Sequence, residues 1–288
     1  MNIKLFRNNY ELNTKHWIFP GGEIGIKIED PNFKLRYNQN NNQTVLCRAQ
    51  NSVDVLGIAM AKNALENTDG QKLPTRLFLP YVPYARQDRI CDRGEAFSLK
   101  VITNFINSLN FDEVIILDPH SDVTPALINN VKVISQFDII HQWQEFKNRI
   151  SANCVFVSPD AGANKKTAKI AGYFNHREFI RADKLRDLSN GNILETIVYC
   201  DDFKGKDVIV VDDCLDGART FIELAKVCKS KNCNKFVLYC THGIFSKGIE
   251  YVFENGIDEI YVTNSWRDFP KDTKLKIFDV LDFTKFMI

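Results

Sequence analysis

No stretch of this sequence approaches the ~20 consecutive apolar residues that a membrane span needs, so a helical bilayer anchor is excluded. The opening Met1-Asn2-Ile3-Lys4-Leu5-Phe6-Arg7 lacks the long apolar core of a secretory signal, and no leader is expected. None of the eight cysteines stands in C-x-x-C spacing, which argues against a structural zinc site. Several lie inside apolar runs such as Cys154-Val155-Phe156-Val157, where a thiol acts as a small hydrophobe. They read as reduced core residues of a cytoplasmic protein. There is no excess of either charge: 37 Lys and Arg face 36 Asp and Glu, a net of +1. With no basic arm either, neither nucleic acid nor a membrane is expected as a partner. An apolar content of 44% over 288 residues excludes a disordered chain and suits one large or two modest domains.

Short apolar runs alternate with longer amphipathic ones. Arg76–Pro80, Val114–Asp118, Cys154–Val157, Val208–Asp212 and Phe236–Cys240 are largely apolar, with β-branched residues prominent in the middle three, as suits strands buried on both faces. Helices are expected from Phe97 to Leu109 and from Thr220 to Cys228, each with one apolar face. This alternation predicts an α/β fold with parallel sheets flanked by helices. The first fifty residues differ. Ile24, Ile26 and Ile28 alternate with other residues, as do Phe33, Leu35 and Tyr37, and a polar run follows from Asn38, predicting antiparallel strands and turns. A weak two-fold repetition places a boundary between Trp143 and Asn153, giving domains 1–147 and 148–288.

Open α/β sheets bind ligands beyond the carboxyl ends of their strands. Those ends read Asp118-Pro119-His120, Ser158-Pro159-Asp160, Asp212-Asp213 and Thr241-His242. The most informative segment runs from Val208 to Thr220. A buried strand delivers Asp212 and Asp213, oxygen acceptors suited to vicinal hydroxyls or a hydrated Mg²⁺. Asp216, Gly217, Ala218, Arg219 and Thr220 then turn into a helix whose first N–H groups favour a phosphate. Diol-binding acids followed by a phosphate cradle have the shape of a ribose 5-phosphate site.

This segment resembles the phosphoribosyl-binding motif of type I phosphoribosyltransferase folds. Nearly the whole chain resembles the ribose-phosphate diphosphokinase (PRPP synthase) family, as a divergent branch. The resemblance rests on Phe19-Pro20-Gly21-Gly22-Glu23, on Pro80-Tyr81-Val82-Pro83-Tyr84-Ala85-Arg86-Gln87-Asp88-Arg89, and on Asp118-Pro119-His120-Ser121. Ser158-Pro159-Asp160-Ala161-Gly162, the acidic loop and Thr241-His242-Gly243-Ile244-Phe245-Ser246 complete it.

The resemblance implies two phosphoribosyltransferase-like domains, the first on the ATP side and the second on the ribose 5-phosphate side. It implies transfer of diphosphate from ATP to O1 of ribose 5-phosphate, giving PRPP and AMP, with Mg²⁺ as cofactor. Lys184 and Arg186 match a Lys-x-Arg pair on a flexible catalytic loop. His120 and Asp160 match positions associated with Mg²⁺, His120 also with the ATP phosphates. Arg86 and Gln87 match an ATP-binding pair. Phe19 and Glu23 match an adenine loop that in the family comes from a neighbouring subunit, implying a dimer or higher assembly, possibly a hexamer. Asp212, Asp213 and the Asp216–Thr220 loop match the ribose 5-phosphate site.

Several positions depart from the family pattern. Gly21 stands where Asp or Asn is usual, and Ala163 where a second Gly is common. The phosphate loop reads Asp-Gly-Ala-Arg-Thr in place of Asp-Thr-x-Gly-Thr, losing a hydroxyl at Gly217 and gaining a cation at Arg219. The competing readings are a non-catalytic regulatory homologue, a PRPP-consuming phosphoribosyltransferase and a PRPP-sensing DNA-binding regulator.

Overall fold

A computed structural model describes residues 2–30, 42–68, 73–176, 179–186, 193–270, 272 and 274–286. The predicted strand at Phe33, Leu35 and Tyr37 lies outside the described residues. The chain divides into two compact units: Met1–Ser135 with Leu281–Ile288, and Gln136–Val280. The division therefore falls between Ser135 and Gln136, not between 147 and 148, and the end of the chain returns to the first unit.

The first unit runs β1 (Ile3–Arg7), β2 (Tyr10–Glu11), β3 (Thr14–Ile18), β4 (Ile24–Ile28), β5 (Gln43–Cys47), α1 (Ser52–Glu66), β6 (Thr75–Leu79), α2 (Ser98–Ser108), β7 (Glu113–Leu117), α3 (Val123–Leu127) and β8 (Val131–Ile134). Its sheet has the order β2-β1-β5-β6-β7-β8. Strands β5 to β8 are parallel, while β1 is antiparallel to β5, with Leu5 opposite Val45. The expected antiparallel character of the first fifty residues is thus present in β1, β2 and the separate β3–β4 hairpin. The predicted 97–109 helix forms as α2. Its Leu99 and Ile106 are buried, and Ile102, Phe105 and Leu109 pack against the same core. One buried carboxylate ties the start of the first crossover helix to the residue before β1. Asp54 in α1 accepts from Asn2 N (3.0 Å), Gln50 N (3.2 Å) and the side chains of Asn2 and Asn51. Asn51 in turn caps α1 by accepting from Asp54 N at 3.0 Å.

The second unit runs α4 (Gln136–Gln142), α5 (Gln144–Arg149), β9 (Cys154–Ser158), α6 (Asn164–Tyr173), β10 (Ile180–Arg186), β11 (Ile193–Val198), β12 (Asp207–Leu215), α7 (Arg219–Ser230), β13 (Phe236–Gly243), α8 (Ile249–Glu254), β14 (Glu259–Thr263) and β15 (Leu275–Phe278). The sheet order is β11-β10-β9-β12-β13-β14-β15. All neighbours are parallel except the β10–β11 hairpin. Each face of this sheet has its own core. Val208, Val210, Leu238 and Ile260 pack toward α7, with Phe221, Leu224, Ala225 and Cys228. Ile209, Val211, Tyr239 and Tyr261 pack with Trp143, Phe146 and Phe156 on the other face. Trp143 stacks on Phe278 with centroids 5.3 Å apart. This contact is why the helices before 148 belong to the second unit: their aromatic side chains complete its core.

The two ends of this sheet are built differently. At the amino ends, Arg149 bridges Asp207 (2.8 Å) and Glu259 (2.7 Å), and Lys235 also reaches Glu259 (2.7 Å). At the carboxyl ends, left-handed backbone accumulates. Ala218 (φ 60°) and Phe245 (φ 53°) follow β12 and β13, and Tyr84 (φ 62°) and Asp118 (φ 34°) follow β6 and β7 in the first unit. Most other non-glycine residues with positive φ are asparagines, which tolerate it. Strain held by bulkier residues beyond strand ends is a mark of functional loops.

Candidate active site

In the second unit three loops meet the predicted chemistry. β12 does not stop at Asp212. Its pairing with β13 continues through Cys214 opposite His242 to Leu215 opposite Gly243, so Asp212 and Asp213 both lie within the strand. The Asp212 carboxylate turns back to accept from Asp213 N at 2.9 Å. Its carbonyl oxygen accepts from Gln136 Nε2 at 2.8 Å. Burial, and then the neighbouring Asp213 and Asp160 carboxylates, push Asp212 well above the ordinary carboxylate range. Asp213 is buried. Beyond Leu215, Asp216 and Gly217 lead to Ala218, whose left-handed φ turns the chain into α7. Arg219 and Thr220 are the first residues of that helix, where N–H groups have no intrahelical acceptor and the dipole favours an anion.

The loop after β9 supplies Asp160. Its Oδ1 accepts from Ala163 N at 3.1 Å, and its Oδ2 accepts from Lys184 Nζ at 2.8 Å. Lys184 is 6% exposed and Asp160 42%. Burial alone would raise the Asp160 pKa, but Lys184 and the amides of Ala163 and Gly162 hold it below the usual range. The sequence placed Lys184 and Arg186 on a loop. Both lie on β10 in the hairpin with β11, Lys184 opposite Thr196. The Arg186 side chain and residues 187–192 lie outside the described residues. Ala163 fills the position where a second Gly is common, and its amide is directed at the Asp160 carboxylate.

The predicted nucleotide-side residues fall in the first unit. Phe19 and Glu23 close the β3–β4 hairpin, with Phe19 N donating to Glu23 O at 2.8 Å. Phe19 is 48% exposed, its ring set edge-on to Trp17 at 5.9 Å. Gly22 takes φ 89°, which the tight turn requires. A Cβ at Gly21 would meet only Glu23, at 3.4 Å, so the missing Asp or Asn there is not forced by crowding. Arg86 and Gln87 are exposed in the turn after β6, where Gln87 N donates to Tyr84 O at 2.9 Å. His120 is exposed after β7, two residues beyond the buried, left-handed Asp118. Among the described residues the fold thus brings Asp160, Lys184, Asp212 and Asp213 together within the second unit, while Phe19, Glu23, Arg86, Gln87 and His120 are carried by the first.

Two contributors escaped the sequence reading. Gln136 heads α4 and is 3% exposed; a polar residue leading an apolar helix was the available signal. His242 is 2% exposed, with Nδ1 2.8 Å from Ser265 Oγ. The motif containing it was noticed, but its partner is distant in sequence.

Parallel sheets with acidic strand ends and a loop that turns into a helix amino terminus define a phosphoribosyltransferase-type fold. The comparisons with known proteins narrow this further. Residues 193–284 match the family described as "Phosphoribosyl synthetase-associated domain". The chain is 26% identical over 279 residues to the ribose-phosphate pyrophosphokinase of Sulfurisphaera tokodaii, covering 93% of this chain and 89% of that protein. It is 26% identical over 248 residues to the Campylobacter jejuni ribose-phosphate pyrophosphokinase, covering 86% and 77%. The crystal structure of phosphoribosylpyrophosphate synthetase from Mycobacterium smegmatis superposes with a TM-score of 0.78 at 20% identity, covering 96% of this chain and 89% of that one. The fold is therefore the one seen in that synthetase. The resemblance to the PRPP synthase family read from the motifs is borne out in both sequence and fold.

Proposed function

We propose that this protein is a ribose-phosphate diphosphokinase, transferring the diphosphate of ATP to O1 of ribose 5-phosphate to give PRPP and AMP. The observation that carries this reading is the β12–α7 segment: the half-buried Asp212 and buried Asp213, then a left-handed turn at Ala218 that opens a helix amino terminus. Asp212 and Asp213 accept from the sugar hydroxyls, and Asp216 to Thr220 hold the 5-phosphate on backbone N–H groups and the Thr220 hydroxyl. The sugar O1 attacks the β-phosphorus and loses its proton to water. The bond from that phosphorus to the bridging oxygen breaks, and AMP leaves with the electron pair. Such transfers rest on positioning and charge neutralisation. Lys184 and Arg186 supply cations to the developing charge. Phe19 stacks on the adenine, Glu23 accepts from the nucleoside, and Arg86, Gln87 and His120 contact the nucleotide.

Among the described residues no three His, Cys, Asp or Glu side chains are grouped to hold a metal ion. Mg²⁺ needs no such cluster, because it keeps several waters and binds one or two protein groups together with substrate phosphates. Asp160 in the second unit is a candidate ligand, as the resemblance implies for His120 in the first, and the ion would neutralise phosphate charge when bound. The exposed hairpin tip, with Ile18 60% and Phe19 48% exposed, suits a loop that serves a neighbouring copy, so we place the enzyme in a homodimer or larger ring. None of the eight cysteines is in a disulfide, and among the described residues no helix is long and apolar enough to cross a membrane. Both observations support a cytoplasmic setting.

The test is AMP release from ATP with Mg²⁺ present. We expect release that requires ribose 5-phosphate. A folded protein that releases none would exclude the proposal, and loss of supplied PRPP that depends on a nucleobase would favour a phosphoribosyltransferase.

A further inference from the structure

The Thr241–Ser246 segment marks the family resemblance but has no role in the mechanism above. Its first half is a rigid buttress. Thr241, His242 and Gly243 are all buried at the end of β13. Ser265 Oγ lies 2.8 Å from His242 Nδ1 and 3.0 Å from the Thr241 carbonyl oxygen, which also accepts from Thr263 Oγ1 at 2.6 Å. Gly243 has no room for a side chain: a Cβ would lie 2.5 Å from Phe245 and 2.6 Å from Val262. The chain then turns sharply at Phe245, φ 53°. Ile244 N and Phe245 N both donate to Leu215 O, at 2.8 and 3.1 Å. That carbonyl ends β12, one residue before the phosphate loop. The turn after β13 is therefore fixed directly to the base of that loop.

Ser246, the next residue, is exposed. Its Oγ is 3.9 Å from the point a Cβ on Gly217 would occupy, and it is the one atom within 4 Å of that point. Gly217 is the position where this loop lacks the hydroxyl usual in the family. We propose that the Ser246 hydroxyl binds the phosphate group of the sugar phosphate, supplying from the neighbouring turn the donor that residue 217 does not carry. A phosphate monoester presents three strong acceptor oxygens, and a hydroxyl bond to an ionised oxygen is among the stronger neutral-donor contacts. Because the buttress fixes Phe245, the hydroxyl is presented without ordering a loop, so little entropy is lost on binding.

This inference rests on the ribose 5-phosphate reading of the β12–α7 loop, and the experiment separates the two. AMP release is measured against ribose 5-phosphate concentration, and ribose 5-phosphate binding by calorimetry, for wild type, Ser246→Ala, Ser246→Thr and the double variant Ser246→Ala with Gly217→Ser. The space at Gly217 accepts the new side chain, and Ser246 is exposed, so all four fold. Ser246→Ala should raise KM and Kd for ribose 5-phosphate about tenfold with kcat within about twofold. Ser246→Thr should keep both near wild type, and Gly217→Ser should recover at least half of the loss. A Kd for Ser246→Ala within twofold of wild type overturns the proposal, as does failure of Gly217→Ser to recover any affinity. Wild type that binds ribose 5-phosphate but releases no AMP would overturn the diphosphokinase reading alone, since the calorimetric comparison still decides Ser246. Wild type that does not bind ribose 5-phosphate would overturn both.

Discussion

Lys184→Ala is the sharpest test of the proposed chemistry. In the structure its side chain is 6% exposed and its ammonium is bonded to Asp160 Oδ2 at 2.8 Å. The partner is open to solvent at 42%, so the resting ion pair contributes only about 1 kcal/mol, roughly fivefold in any equilibrium. Deleting the lysine leaves Asp160 still bonded to Ala163 N and in contact with water. The melting temperature should therefore move by no more than about 3 °C. Losing a fixed cation from the transition state costs far more, about 10²–10³ in kcat, or ~2.7–4 kcal/mol. The assay is AMP release with both substrates saturating, alongside calorimetric titration of a non-hydrolysable ATP analogue. We expect kcat to fall at least a hundredfold with analogue affinity changed less than about fivefold. A kcat loss under tenfold, or an affinity loss as large as the kcat loss, would refute the argument that Lys184 acts mainly on the transition state.

Asp212→Asn should separate stability from binding. The raised Asp212 pKa means the folded chain keeps a proton that the unfolded chain gives up near 3.8. Wild type therefore loses stability as pH rises through the raised value. The variant, with nothing to ionise, should melt higher than wild type at pH 7.5 and lose that advantage near pH 4, while its KM for ribose 5-phosphate rises at least tenfold; equal melting at both pH values would refute the charge argument. Arg149→Met removes the shared partner of Asp207 and Glu259, whose side chains are 15% and 18% exposed. Chemical denaturation should show a loss of about 2–4 kcal/mol. Burial opposes it, but Lys235 and Arg149 hold Glu259 below its ordinary 4.5, so this stabilisation is present above that value and lost as pH falls through the lowered one. The variant should unfold at higher pH than wild type in an acid titration.

The buried strands were readable because their side chains state the environment directly: Val208 to Val211 cannot face water on either side. The same signal failed at the strand's end. Asp212 to Leu215 look like a loop because they carry acids, yet their backbone groups pair with β13, and nothing in the side chains announces a ladder bond. The strand placement of Lys184 was missed for a related reason. A charge-rich segment suggests solvent, but its aliphatic stem can lie along protein while the ammonium meets a single carboxylate. The boundary was placed late because α5 reads as polar surface, Gln144-Glu145-Phe146-Lys147-Asn148-Arg149, and one fully buried Phe146 does not outweigh that in a one-dimensional reading. The candidate nucleotide-side residues were legible only as motifs, and the acidic pair only as a strand end. Their hydrogen-bond partners, Gln136 and Ser265 among them, lie 76 and 23 residues away from Asp212 and His242.

The return of Leu281–Ile288 to the first unit has a consequence for synthesis. Lys132 Nζ donates to Phe286 O at 3.0 Å, across 154 residues of sequence. On the ribosome that bond must wait until the whole second unit has emerged. The half made first is thus the half finished last, and a nascent chain stalled after Val280 would carry a complete second unit and an unfinished first one. Pulsed proteolysis of arrested chains should find the later half protected first.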